Sequence, residues 1–277
     1  MRVHHLNCGT MRPPSARLVN GEGPLLKAGS IICHCLLIET GDGLVLVDTG
    51  LGLDSIADPR ALGAGFVQAT RPVLDPAETA VRQLAALGFK AADVRHIVLT
   101  HLDLDHAGGI ADFPHAKIHV YGPEYRAAMS PTAREKARYR RVQWAHDPAW
   151  AVHELTEGER WFGFEAVRKL DGLPDDLLLV PLQGHTRGHV GVAVNTGQHW
   201  LLHAGDAYFF HGEVDPVKPF STPGLRFFQN VVQVDGKSRH RNQRRLQQLS
   251  AAHGDEITIF SAHDVTEFRR LCGGLRA

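Results

Sequence analysis

The chain has 277 residues, of which 43% are hydrophobic and 22% charged, and its 30 basic side chains balance 30 acidic ones. That length and composition belong to a globular chain with a sizeable core, and a zero net charge gives no reason to expect nucleic acid or a membrane surface as partner. No run approaches the roughly 20 apolar residues that cross a bilayer, the start MRVHHLNCGTMRPPS carries no apolar leader, and the four cysteines are too few for a disulfide framework, so the cytoplasm is the expected address.

In chain order, IICHCLLIET reads as a strand that sets Cys33 and Cys35 on one face as small buried residues. GLVLVDTG is a strand ending at Asp48. LDPAETAVRQLAALGF reads as a helix with Asp75 as N-cap, Pro76 in the first turn, Glu78 closing a capping box and Gly88 just past the end. Its apolar face is Ala77, Ala80, Val81, Leu84 and Leu87. HIVLTHLDLDH is a strand running into His101, and AKIHVYG is another. Residues 123–150 have little apolar periodicity and are expected as a helical insert, and 237–253 as a helix before the last strand. Two basic stretches, 133–141 and 237–245, are expected as solvated helix faces, with the first bordering the site as part of a lid as its functional alternative. LLLVPLQGH, WLLHAGD and ITIFSAHD are strands ending at His185, Asp206 and His263. Strands and helices alternate, which predicts one α/β domain over residues 1–277.

Five strands that each end in a metal-ligand residue predict C-terminal ends converging on one edge, where loops present side chains on a rigid scaffold. The turn after one of them, HLDLDH, supplies His101, Asp103, Asp105 and His106 within six positions. With His185, Asp206 and His263 this makes seven nitrogen and oxygen donors, the number needed to hold two divalent ions. Such a pair generates a hydroxide nucleophile at neutral pH and polarises a substrate oxygen.

The ordered set Asp48–Gly50 (VDTG), His101–His106, Gly184–His189 (GHTRGH), Gly205–Asp206 and Ser261–Asp264 (SAHD) resembles the metallo-β-lactamase-fold hydrolases. The resemblance covers nearly the whole chain and implies a four-layer αββα sandwich with the metals at one edge of its two sheets. It implies that His101, residue 103 and His185 hold the first ion, that Asp105, His106 and His263 hold the second, and that Asp206 bridges both. Asp48 and His189 look like residues that buttress the ligands. The chain departs from the family at Asp103, where most members have histidine. An oxygen donor there shifts preference toward Mn²⁺ or Fe²⁺, with zinc the expected metal otherwise.

THLDLDHAGG is similar to the signature of the smaller lactonase-like members, which implies a lactone or other small ester as substrate and Asp105 as proton shuttle. Lactonases of this type often have a tyrosine three residues after the bridging aspartate. Here Phe209 stands there, and Tyr208, one step earlier, is the candidate catalytic tyrosine. A thioesterase, a phosphodiesterase and a β-lactam hydrolase of the same fold are the alternatives. Outside hydrolysis stand a metal-binding module and a diiron redox protein, both disfavoured. The expected partner is a small molecule, without nucleic acid or membrane, and the candidate assembly is a homodimer.

Overall fold

The computed structural model describes residues 1–155, 160–166 and 170–273. Its first sheet runs β1 (Arg2–Met11), β2 (Ile31–Thr40), β3 (Gly43–Val47), β4 (Val94–Val98), β5 (Lys117–Tyr121) and β6 (Ala149–His153), each paired with the next. The first three strands are antiparallel, and β3 through β6 are parallel. A short pair, β7 (Arg160–Trp161) and β8 (Phe164–Glu165), precedes the second sheet. That sheet holds β9 (Leu177–Pro181), β10 (Val190–Asn195), β11 (Trp200–His203) and β12 (Ile257–Phe260), in the order β12-β11-β10-β9. The helices are α1 (Ala16–Asn20), α2 (Leu53–Ala57), α3 (Ala64–Thr70), α4 (Ala80–Ala86), α5 (Gly122–Met129), α6 (Pro223–Val232), α7 (Gly236–His253) and α8 (Val265–Gly273). Among the described residues no helix is long and apolar enough to cross a membrane.

The central strands are apolar on both faces, so alternate residues serve two different cores. Leu36, Ile38, Val45, Val47 and Val98 of the first sheet meet Leu177, Leu179, Val190, Val192 and Phe260 of the second in the middle of the sandwich. Leu37, Leu46, Ile97 and Ile118 turn outward onto Leu84 of α4 and Ile110. Leu178, Val180, Leu202 and Ile259 turn outward onto Leu246 and Leu249 of α7. Helix, sheet, sheet and helix give the αββα layering.

Several expectations need correction. The helix expected from Asp75 is two pieces, a 3₁₀ turn at Pro76–Glu78 and then α4, because Thr79 is extended. Asp75 caps Ala77 N, but Glu78 closes no capping box. Its carboxylate is taken by Thr10, whose N–H and hydroxyl donate to it at 2.6 and 2.7 Å. Leu87 is exposed, so only Ala80 and Leu84 of the proposed face are fully buried. The expected insert over 123–150 is α5 plus 3₁₀ turns at Glu135–Ala137 and Arg141–Trp144, and residues 149 and 150 belong to β6 instead. The basic stretches are not wholly solvated. Arg239 is buried among Gln229, Asn230 and Gln233, and Arg138 turns inward to Asp103.

Candidate metal centre

The first sheet's parallel strands β3 and β4 end side by side, which puts the VDTG turn against the HLDLDH turn. Thr49 N and Thr49 Oγ1 both donate to His106 O at 2.8 Å, and Gly109 N donates to Thr49 Oγ1 at 3.0 Å. Gly50 sits at φ +64°, and a Cβ on it would lie 2.3 Å from Cys8 Cβ, so only glycine allows this close approach. Asp48 itself takes a left-handed conformation, φ +56°, which aims its carboxylate back at the loop.

Asp48 is 1% exposed and accepts three hydrogen bonds: from Thr100 N at 2.8 Å, Thr100 Oγ1 at 2.7 Å and His106 Nδ1 at 2.7 Å. Because its hydroxyl donates to Asp48, Thr100 accepts from His101 Nδ1 at 2.9 Å. His263 Nδ1 donates to Ile32 O at 2.6 Å. Each of these acceptors holds a proton on Nδ1 and leaves Nε2 of His101, His106 and His263 as the atom that faces the centre. His189 donates from Nδ1 to Leu182 O at 3.0 Å and accepts Asp206 N–H on Nε2 at 2.8 Å, which fixes the backbone of Asp206.

These atoms converge. One set of donor atoms, from His101, His185 and Asp206, lies within 4.8 Å of one another, and so does a second, from Asp105, His106 and His263. Asp206 stands between the sets. Its Oδ2 is 3.3 Å from His185 Nε2 and 3.8 Å from His101 Nε2, and its Oδ1 is 3.2 Å from His106 Nε2 and 3.1 Å from His263 Nε2. Asp103 lies to one side of the first set, with Oδ2 3.0 Å from His185 Nε2 and 3.6 Å from His101 Nε2. Its Oδ1 faces Arg138 Nε at 3.5 Å.

This arrangement fits a bound metal pair. Among the described residues, His101 Nε2, His106 Nε2 and Asp206 Oδ1 are buried with no hydrogen-bond partner, an arrangement costing about 1–3 kcal/mol per neutral group unless something else satisfies it. Burial pushes the imidazole of His185 down to about 4, so it is neutral and free to ligate. Burial opposes the ionisation of Asp103 and Asp206, yet Arg138 holds the first carboxyl, and His263 and His106 the second, well below the usual carboxylate range. Buried anions need a cation, and nitrogen and oxygen donors at this spacing are able to bind metals.

Tyr208 is a correction. It is fully buried, its hydroxyl donates to Glu267 Oε1 of α8 at 2.9 Å, and it packs in the outer core of the second sheet. The next residue faces the centre instead. The ring of Phe209 stacks on His263 with centroids 4.8 Å apart and an interplanar angle of 22°. The chain turn after Asp206 puts alternate residues on opposite sides, which motif spacing alone does not reveal. Thr100 and Arg138 were also missed. A hydroxyl directly before His101 was a readable hint, whereas Arg138 arrives from a segment with no periodic signal.

Fold and paired clusters together define a metal-dependent hydrolase. The family model of the metallo-beta-lactamase superfamily matches residues 28–230, and the chain belongs to that superfamily. It is 45% identical to a probable metallo-hydrolase of Mycobacterium tuberculosis over 266 residues, 95% of this chain and 80% of that protein. It is 41% identical to the N-acyl homoserine lactonase AttM of Rhizobium johnstonii over 133 residues, 47% of this chain and 49% of the relative. Among solved structures, an N-acyl homoserine lactone hydrolase with N-hexanoyl-L-homoserine bound at its catalytic metal centre superposes with a TM-score of 0.68 at 22% identity. That likeness covers 96% of this chain and 94% of the other.

Proposed function

We propose that this hydrolase opens a small ester-type bond, a lactone above all, at two divalent ions. The observation that carries the reading is a cavity of about 420 Å³ that reaches His263, with Val19, Ile31, Phe209, Phe210 and Leu225 forming an apolar wall and Glu22, Asp264 and Arg269 among its polar lining. An apolar wall next to one ligand of the second set suits an acyl or alkyl group carried beside the scissile carbonyl. The 41% identity to a lactonase over 133 residues supports the same substrate class.

His101, Asp103 and His185 would hold one ion and Asp105, His106 and His263 the other, with Asp206 across both. Zinc is the proposed metal, with manganese or iron suited to the oxygen-richer Asp103 side. When bound, such a pair supplies Lewis acidity and a water of lowered pKa. The residues do the rest. Asp48, Thr100 and His189 lock tautomers and backbone so that the donors need no reorganisation. Phe209 covers one face of His263 and keeps water from it. Asp105 takes the nucleophile's proton on a carboxylate oxygen and returns it to the leaving alkoxide.

The test is zinc-reconstituted protein assayed against N-acyl homoserine lactones, simple γ-lactones, aryl esters, a thioester, a phosphodiester and a β-lactam. A kcat/KM for lactones at least tenfold above every other class is expected. Faster turnover of the phosphodiester, thioester or β-lactam would overturn the ester reading.

A further inference from the structure

We infer that Glu124 is a positioning residue that sets the geometry of the first ion's ligands from both sides at once. This rests on the two-ion reading above. Glu124 opens α5, two residues beyond the helix start, and is 0% exposed. Its carboxylate fills every acceptor position. Oε1 accepts from Leu102 N and from the Tyr139 hydroxyl, both at 3.0 Å. Oε2 accepts from Thr186 Oγ1 at 2.7 Å and from Gly188 N at 3.0 Å.

The donors are not scattered. Leu102 lies between His101 and Asp103, and Thr186 and Gly188 follow His185 in GHTRGH. One side chain therefore ties together the two loops that carry the first ion's His101, Asp103 and His185. Tyr139 brings the neighbouring Arg138, which donates to His185 O at 3.0 Å and faces Asp103. Nothing comparable links Glu124 to Asp105, His106 or His263 among the described residues. The glycine of the motif has its reason here too. A Cβ on Gly188 would lie 2.0 Å from Glu124 N, so the loop can lie on the first turn of α5 only without a side chain.

Glutamine cannot replace this group. Each oxygen faces one backbone N–H, which cannot reverse, so an amide in either orientation leaves Leu102 or Gly188 without an acceptor. A loop freed in this way loosens one or two of the three ligands, and loss of such a supporting contact typically costs 10–100-fold in metal affinity.

The experiment titrates Zn²⁺ alone into the full-length apo protein against a chromophoric chelator. Anomalous scattering from crystals then assigns which ion is missing. For Glu124→Gln we expect the first ion to bind 10–100-fold more weakly and the second within about threefold of wild type. Tyr139→Phe, which keeps both backbone contacts, is expected to stay within about threefold at both sites. Should Glu124→Gln not fold, Thr186→Val removes a single donor on the His185 side and is expected to weaken the first ion alone. Wild-type binding of both ions by Glu124→Gln, or by Thr186→Val in its place, overturns the inference. Equal weakening of both ions also overturns it, because that marks a general structural role. A wild type that binds no zinc overturns the two-ion reading instead.

Discussion

Replacing Asp48 by Asn is expected to weaken both metals while leaving the chain folded. The amide oxygen can keep the bond from Thr100 N, now 2.8 Å from Oδ1. The amide nitrogen must then face the Thr100 hydroxyl and His106 Nδ1, which donate to Oδ2 at 2.7 Å each. To avoid donor against donor, His106 moves its proton to Nε2, the atom that points at Asp206. The Thr100 hydroxyl reverses too and turns its proton on His101 Nδ1, so His101 is driven to the same wrong tautomer. One ligand of each ion is thereby protonated where it should bind. Supporting contacts of this kind are worth about 10–100-fold in metal affinity, or about 1.4–2.7 kcal/mol per ion. The metal-free fold loses only a charge-assisted hydrogen bond for a neutral one, about 1–2 kcal/mol. Zinc titration of apo protein reads the first quantity, and urea unfolding with a chelator present reads the second. Wild-type zinc affinities in folded Asp48→Asn would refute the tautomer argument.

Other expectations are equally direct. Asp103→His restores three imidazoles near the first ion and is expected to move the activity optimum toward zinc and away from Mn²⁺ or Fe²⁺, whereas Asp103→Ala loses the first ion before the second. Metal titrations of both variants check this, and an unchanged preference with full occupancy removes Asp103 from the ligand set. Tyr208→Phe is expected to leave kcat/KM within about twofold of wild type and to lower stability by about 1 kcal/mol, since only the bond to Glu267 is lost. A chain of histidines, half-buried His96 and buried His119 and His153, crosses β4 to β6 through N–H···N bonds of 2.8 and 2.9 Å, outside the metal centre. Burial, then His153, His96 and Lys117, push His119 down to about 3, so the unfolded chain takes up its proton near 6.5 while the folded one resists. Stability therefore falls as the pH drops from about 6.5 toward 3, and His119→Gln is expected to be flatter over that window. Urea unfolding at pH 7 and 4.5 with chelator measures the difference, and equal slopes would contradict it.

The residues at the strand ends were legible because each follows an apolar run, where a costly polar group needs a reason. Asp48, His101, His185, Asp206 and His263 all announced themselves in this way, and the strand ends do converge. What escaped was decided by distant partners. Glu78 looked like a capping residue until Thr10, far away in sequence, claimed its carboxylate. β6 was hidden inside the apparent insert because its five residues, AWAVH, are short and follow Pro148. Arg138 and Glu124 read as ordinary helical charge, and only the folding of α5 and the turns after it onto the metal loops turns them inward. Tyr208 and Phe209 differ by one position, and one position selects the opposite side of the chain.

Metal content bears most directly on the central claim. Protein purified without added metal is expected to hold two equivalents of divalent ion per chain by elemental analysis. A chelator is expected to remove both ions together with all hydrolytic activity, and readdition to restore it. Full activity in protein carrying no more than trace metal would contradict the account.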